Sequence, residues 1–199
     1  MRAFVALVPP ASALAELAAA LAPVQAADPG LRWTPPGQWH LTLAFLGDIE
    51  GDGLDDGVLP ALAERLARAA RRHPPTELAL GGGGRFGDRV LWIRVHDLGA
   101  DARRGHTGVR GLAGSVGAVA RRCGIPVDDR PYRPHLTLAR ARPGSDLRPA
   151  VDALKDFTGT PWTADALHLV RSRLGAGPGG TAAHDVIATW RLGTQDTRG

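Results

Sequence analysis

The 199-residue sequence has one cysteine, one lysine, one tyrosine and one methionine, and only 5% of its residues are aromatic. The lone thiol of Cys123 cannot form an intramolecular disulfide, which fits a reducing cytoplasm. No apolar run approaches the about 18 residues of a membrane-spanning helix. The opening run, residues 1–8, breaks at Pro9 without a signal-peptide cleavage pattern. We therefore expect a cytoplasmic protein without a membrane span.

Charge of either sign is present in near balance, with 24 Lys plus Arg against 20 Asp plus Glu and a net charge of +4. Lys155 is the only lysine, and this arginine bias together with 26 glycines is typical of a GC-rich genome. A broad DNA-binding surface is not indicated. Arginine nevertheless binds phosphate in a bidentate manner, so the composition is compatible with a modest basic cleft for phosphate groups. The glycine run 82–84 lacks the Gly-Lys-Ser/Thr ending of a phosphate-binding loop.

The segment His-Leu-Thr-Leu-Ala occurs twice, at residues 40–44 and again at residues 135–139. The second copy starts 95 residues after the first, close to half the chain length. A single His-x-Thr in a strand is usually structural. Two identical copies at half-chain spacing instead indicate a site built by internal near-symmetry.

Each copy has the alternation of a half-buried strand. In the first copy Leu41, Leu43 and Phe45 recur with period two and predict a buried face. His40 and Thr42 then share the opposite face, because successive strand side chains alternate. The second copy predicts the same for His135 and Thr137. If the two strands lie side by side, two imidazoles and two hydroxyls meet in one cleft.

This set of side chains suits general acid–base catalysis at a phosphoryl group. One imidazole must be neutral to accept a proton and the other charged to donate one, and the ordinary histidine pKa of about 6.5 permits both. Each positioned proton transfer can supply roughly 10²–10⁴-fold in rate. The threonine hydroxyls can donate to non-bridging phosphoryl oxygens.

A metal site is the main alternative to metal-free acid–base catalysis. Zinc sites use clustered His, Cys, Asp or Glu. Here there is one cysteine, no His-Glu-x-x-His motif, and no carboxylate inside either repeat. We therefore expect no metal and no cofactor.

The resemblance of the chain to a known family rests on both repeats and on segments spread nearly end to end. These segments are residues 1–7, 33–39, 45–47, 84–92, 133–140 and 167–172. Together they resemble the RNA 2′,3′-cyclic phosphodiesterases, or LigT-like 2′-5′ RNA ligases, of the 2H phosphoesterase superfamily. The sequence departs from the family at Ala44, where lysine is frequent, and in the glycine-rich stretch 175–180, where an aromatic turn residue is usual.

The resemblance implies hydrolysis of RNA 2′,3′-cyclic phosphate ends to 2′-phosphomonoesters. In the implied roles His135 accepts a proton from the attacking water, and His40 donates one to the departing 3′ oxygen. Thr42 and Thr137 would hold the phosphoryl oxygens. Because the two repeats are nearly identical, the sequence identifies the pair of histidines more firmly than it identifies which histidine is the acid and which is the base. The alternatives are 2′-5′ RNA ligation by the same groups, and a non-catalytic module that binds RNA ends or nucleotides.

Three flanking residues are candidates for substrate binding. The resemblance implies that Arg140 reaches the phosphate, although strict alternation places it on the face of Leu136 and Leu138; a strand-end bulge would re-aim it. Tyr132 and Trp39 precede the two repeats and could stack on a base. Packing in the core or at its rim is the alternative for both aromatic rings.

The coarse secondary structure predicts an α+β fold. We expect strands at residues 2–8, 38–46, 77–80, 89–95, 162–174 and 185–192, the third and fourth joined around residues 81–88. We expect helices at 12–27 with Ser12 as N-cap, 58–72, 107–122 and 146–157. The resemblance implies two pseudo-symmetric lobes, each an antiparallel sheet backed by helices, around a central cleft. We expect residues 1–199 to form a single bilobal domain, a monomer without an obligate protein partner that acts on RNA ends or small cyclic nucleotides.

Overall fold

A computed structural model describes residues 1–51, 53–99, 108–177 and 182–193. The strands are β1 Arg2–Leu7, β2 Arg32–Trp33, β3 Leu41–Asp48, β4 Thr76–Phe86, β5 Val90–Asp97, β6 His135–Arg140, β7 Trp162–Ala164, β8 Ala166–Arg173 and β9 Ala183–Arg191. The helices are α1 Ala11–Ala27, α2 Leu59–Arg72, α3 Gly108–Arg122 and α4 Arg148–Ala153, and Pro36–Gln38 form a 3-10 turn. None of the helices in these ranges is long and apolar enough to cross a membrane.

The strands form two antiparallel sheets, which confirms the α+β prediction. The four-stranded sheet has the order β3-β1-β8-β9, and the five-stranded sheet has the order β2-β6-β5-β4-β7. Helix α3 packs on β3, α2 on β9 and α4 on β4. Each sheet holds one repeat, β3 in the first and β6 in the second, so the two repeats are not neighbours in one sheet.

The buried faces of β3 and β6 begin as the alternation predicts. Leu41 and Leu43 are 1% and 5% exposed, and Leu136 and Leu138 are fully buried. These leucines belong to one hydrophobic core that both sheets share. Burial of a leucine side chain contributes about 1.5–3 kcal/mol, so the apolar half of each repeat stabilises the fold and the polar half stays available.

Several predicted boundaries are wrong, and each error has a local cause. Residues 81–86 were expected in a connection but belong to β4, where the glycines let α4 approach: a Cβ on Gly83 would lie 2.8 Å from Cβ of Leu154. The strand expected at 162–174 is two strands in different sheets. Helix α1 begins at Ala11 after Pro10 and has no side-chain cap, so Ser12 is not the N-cap. Helix α4 is shorter than the predicted 146–157, and residue 107, the expected start of α3, lies outside the described residues.

Candidate active site

Both repeat histidines make the same hydrogen bond to the backbone. His40 Nδ1 donates to the carbonyl of Gln38 at 2.7 Å, and His135 Nδ1 donates to the carbonyl of Arg133 at 2.6 Å. A carbonyl oxygen can only accept, so Nδ1 carries the proton in each ring. Each neutral imidazole therefore leaves Nε2 unprotonated and available for proton transfer.

Aromatic side chains also pack against the imidazole rings of His40 and His135. Phe4 stacks on His40 with ring centroids 4.4 Å apart and an interplanar angle of 22°. Phe86 meets His135 edge-on at 4.9 Å, and Trp92 lies 6.0 Å from it. Each imidazole is thus fixed by one carbonyl and by ring contacts, which limits its rotation.

Burial depresses the basicity of both imidazoles. Burial lowers the pKa of His40 to about 4, and electrostatic interaction with His184 and His135 lowers it further, whereas the hydrogen bond to the carbonyl of Gln38 raises it. Burial also lowers the pKa of His135, again partly offset by its backbone hydrogen bond. The lowered pKa values favour the neutral form of both imidazoles at neutral pH. A bound phosphate anion would raise both pKa values and so make one of the two a proton donor.

A β-bulge in β6 decides where Arg140 points. Trp92 pairs with Thr137, but the next residue of β5, Leu91, pairs with Ala139, so Leu138 is an extra residue. Leu138 and Ala139 are both fully buried. Paired residues share a face of a sheet, so Arg140, opposite Val90, returns to the face of Thr137. The bulge therefore removes the objection that strict alternation raised against Arg140.

Strand β3 carries the same irregularity at the same position of its repeat. Ala6 pairs with Thr42, whereas Val5 pairs with Ala44, so Leu43 is the extra residue. Phe45 then lies on the face of Thr42, and it is 64% exposed. The prediction that Phe45 is buried is therefore wrong. Phe45 and Arg140 occupy equivalent positions in the two repeats, one aromatic and one cationic.

The aromatic residues before the two repeats have different environments. Trp39 is only 2% exposed and belongs to the core, so it cannot stack on a base and that expectation is wrong. Tyr132 is half-buried, and its hydroxyl donates to the backbone carbonyl of Thr42 at 3.0 Å. This bond ties the approach to the second repeat to the strand of the first, so Tyr132 positions the two halves of the site.

Two half-buried histidine–threonine pairs thus lie one on each sheet, joined by Tyr132. The described part of the chain has no group of three or more His, Cys, Asp or Glu that could hold a metal ion. The family model of the 2′-5′ RNA ligase superfamily matches residues 9–176, a span that holds both pairs. The chain belongs to this superfamily.

Curated relatives within the superfamily are of moderate similarity. An RNA 2′,3′-cyclic phosphodiesterase of Thermus thermophilus is 34% identical over 148 residues, 73% of this chain and 69% of the relative. One of Geobacillus stearothermophilus is 33% identical over 112 residues, 54% of this chain. That match spans only 32% of the Geobacillus relative's own length.

Solved structures of other proteins share the fold. A crystal structure of a Thermus thermophilus protein is 29% identical, with a TM-score of 0.71 over 98% of this chain and 100% of that one. Escherichia coli LigT complexed with 3′-AMP is 22% identical, with a TM-score of 0.66 over 98% of each chain. The second likeness shows the fold alone.

The structure places further residues beside the two histidines that the sequence did not indicate. His184 lies edge-on to His40 with ring centroids 5.0 Å apart, and Phe4, Phe86 and Trp92 form the ring contacts described above. The repeat itself carried a signal for Phe45, since it stands at the position of Arg140. The segment carrying His184 shows no comparable pattern, so no sequence signal pointed to it.

Gly84 is expected to control the position of Trp92 and through it His135. A methyl group on Gly84 would overlap the indole of Trp92, which contacts His135. We expect Gly84→Ala to destabilise the fold by about 1–3 kcal/mol and to shift the imidazole NMR signals of His135 more than those of His40. Gly114→Ala is the control, because nothing lies within 4 Å of its Cβ on α3. Unchanged His135 signals in Gly84→Ala would contradict the contact.

Tyr132, the only tyrosine of the chain, is expected to resist ionisation. Burial raises the pKa of its hydroxyl, and the charge of Arg110 opposes this. An ultraviolet absorbance titration of the folded protein should therefore show no phenolate near pH 10, the ordinary pKa. Since only the unfolded state releases this proton there, stability should fall as the pH rises above about 10. Tyr132→Phe should lack that component, and phenolate formation near pH 10 in the folded protein would contradict it.

Proposed function

We propose that this protein hydrolyses RNA 2′,3′-cyclic phosphate ends to 2′-phosphomonoesters without a metal. The observation that carries the proposal is the repeated anchoring of His40 and His135, which leaves two Nε2 atoms free for proton transfer. Nε2 of a neutral imidazole accepts a proton, and the same atom donates one once the ring is protonated, so the pair suits a reaction that needs one acceptor and one donor. The names of the curated relatives support the same substrate class.

The proposed chemistry is one in-line displacement. His135 Nε2 accepts a proton from water, and the water oxygen forms a bond to phosphorus. The bond from phosphorus to the 3′ oxygen breaks, and protonated His40 gives that oxygen its Nε2 proton. The phosphate stays on the 2′ oxygen. Thr42 and Thr137 share their faces with the histidines, from which their hydroxyls would donate to the non-bridging oxygens.

A bound phosphate is expected to change the protonation state of the two histidines. His40 has the pKa lowered to about 4, so it is neutral until an anion is bound. The cyclic phosphate brings a negative charge beside both rings and favours the protonated form of one. Its binding therefore helps to generate the acid that the reaction needs. Arg140, on the same face as Thr137, would add a cation beside the phosphate.

The 2′-5′ ligase reaction is the second candidate, because the superfamily model carries that description. A 5′ hydroxyl would replace water, and the same two histidines would serve in either direction. A non-catalytic RNA-end binding module would keep the fold and lose turnover. We further propose that residues 1–199 form one bilobal domain that works as a cytoplasmic monomer on RNA ends or small cyclic nucleotides.

Purified protein with a dinucleotide ending in a 2′,3′-cyclic phosphate, in buffer containing EDTA, tests the proposal. Chromatography of the products beside 2′- and 3′-phosphomonoester standards should show the 2′-phosphomonoester alone. A 3′-phosphomonoester would reject the role of the 3′ oxygen as leaving group. Loss of turnover on chelation, restored by zinc or manganese, would reject the metal-free mechanism. Binding without turnover would favour the module.

Removing either histidine is expected to abolish most turnover. His40→Ala and His135→Ala should each lower kcat by about 10²–10⁴-fold, the value of one positioned proton transfer. The double variant should be little worse than the worse single variant, since residues that act as a unit are not additive. His73→Ala is a control outside both repeats. Near-normal turnover in either single variant would exclude the two-histidine mechanism.

The pH dependence should differ between the free and the bound enzyme. The kcat/KM profile reports groups of the free enzyme, and burial lowers the pKa of both histidines there. This profile should be bell-shaped, because one imidazole must be neutral and the other charged, and its maximum should lie below about pH 6.5, the ordinary histidine pKa. The kcat profile should centre at higher pH, because the bound anion raises both imidazole pKa values. Coincident profiles, or a rate without an acidic limb, would contradict this account.

A further inference from the structure

An open cavity of about 480 Å³ lies where the second repeat strand ends. Four arginines and two small residues line it, namely Arg32, Arg89, Arg140, Ala141, Arg142 and Pro143. We call it the arginine pocket. No carboxylate is among its described lining residues, so its charge is strongly positive.

The arginine pocket continues the face that carries the second repeat. Arg32 of β2 pairs directly with Arg140, so both side chains share the face of Thr137. Because Leu138 is the bulge residue, Thr137 and Arg140 lie opposite β5 residues that are only two apart, which is about 7 Å along a strand. Arg89 is held beside them, because the amide of Ala141 donates to its carbonyl at 2.9 Å. The pocket therefore begins at Arg140, beside the proposed reaction centre, and extends away from it past the end of the strand.

The four charges lack protein partners within the described ranges. None of the four arginines forms an ion pair there, and all four are exposed. Arg85 and Arg148, by contrast, pair with Asp88 and Asp146. Like charges directly opposite each other, as Arg32 and Arg140 are, destabilise a sheet. An anion in the pocket would remove that repulsion.

We propose that the arginine pocket binds phosphodiester groups of the RNA chain on the 5′ side of the cyclic phosphate. The inference rests on the proposed function. A cyclic phosphate occupies the 3′ terminus of its strand, so every other phosphate of the substrate lies 5′ to it. Arginine forks match phosphate oxygens in pairs. The pocket accordingly makes the protein prefer oligonucleotides over a cyclic mononucleotide.

The test uses Arg89→Ala combined with Arg142→Ala, which leaves Arg140 in place. Kinetics compare a tetranucleotide ending in a cyclic phosphate with a nucleoside 2′,3′-cyclic phosphate. We expect kcat/KM to fall about tenfold or more for the tetranucleotide and to stay within about twofold for the mononucleotide, because only the longer substrate can accept charge-assisted hydrogen bonds from these two arginines. The control is Arg65→Ala combined with Arg122→Ala, which removes the same charge from exposed positions of α2 and α3. It should leave both substrates nearly unchanged.

Equilibrium binding makes the test independent of turnover. Fluorescence anisotropy with a labelled tetranucleotide ending in a 3′-phosphate should show weaker binding to the pocket variant than to the wild type and the control. The slope of log Kd against log salt should fall by about 0.7 for each phosphate that the variant no longer neutralises. Equal binding by all three proteins, or equal reductions on both substrates, would overturn the pocket assignment. Absent turnover of both substrates with intact pocket-dependent binding would instead overturn the proposed hydrolysis alone.

Discussion

The candidate site depends on one hydrogen bond that occurs twice, from an imidazole Nδ1 to the carbonyl two residues earlier in the chain. The bond sets the tautomer of His40 and of His135 and directs the other nitrogen away from the backbone. Because the rings are buried among Phe4, Phe86 and Trp92, their pKa values fall and both stay neutral until an anion arrives. The local hydrogen bond thus sets the tautomer of each ring, and burial by tertiary packing sets its pKa.

The similarity of the two repeats extends beyond their identical residues. A bulge at Leu43 in one strand and at Leu138 in the other turns the following residues, Phe45 and Arg140, to the face of the threonines. The two halves therefore present different chemistry at equivalent places. An exposed aromatic ring suits a base, and an arginine suits a phosphate, so the two positions match the two chemical parts of the proposed nucleotide substrate.

Much of this arrangement could be predicted from the sequence, since it follows from local patterns. Period-two leucines identified both strands and the face of each histidine, and the apolar residues Val109, Leu112, Val116 and Val119 recur at the helical spacing that predicts α3. The sequence allowed a strand-end bulge that re-aims Arg140, but the positions of the two bulges could not be predicted, because they depend on the register between strands far apart in the chain. The glycines of β4 looked like a connection until α4 was seen to pack on them. The burial of Trp39 and the approach of His184 to His40 are likewise tertiary contacts without a local signal.

The tautomers of His40 and His135 are the most direct test of this account. Long-range ¹H–¹⁵N NMR spectra of the uniformly labelled protein distinguish a protonated Nδ1 from a protonated Nε2, and the two single histidine variants assign the signals. Near neutral pH and without substrate, both rings should be neutral and carry their proton on Nδ1. A neutral ring protonated on Nε2 at either residue would contradict the account, because its Nε2 could not accept a proton and its Nδ1 could not donate to the carbonyl.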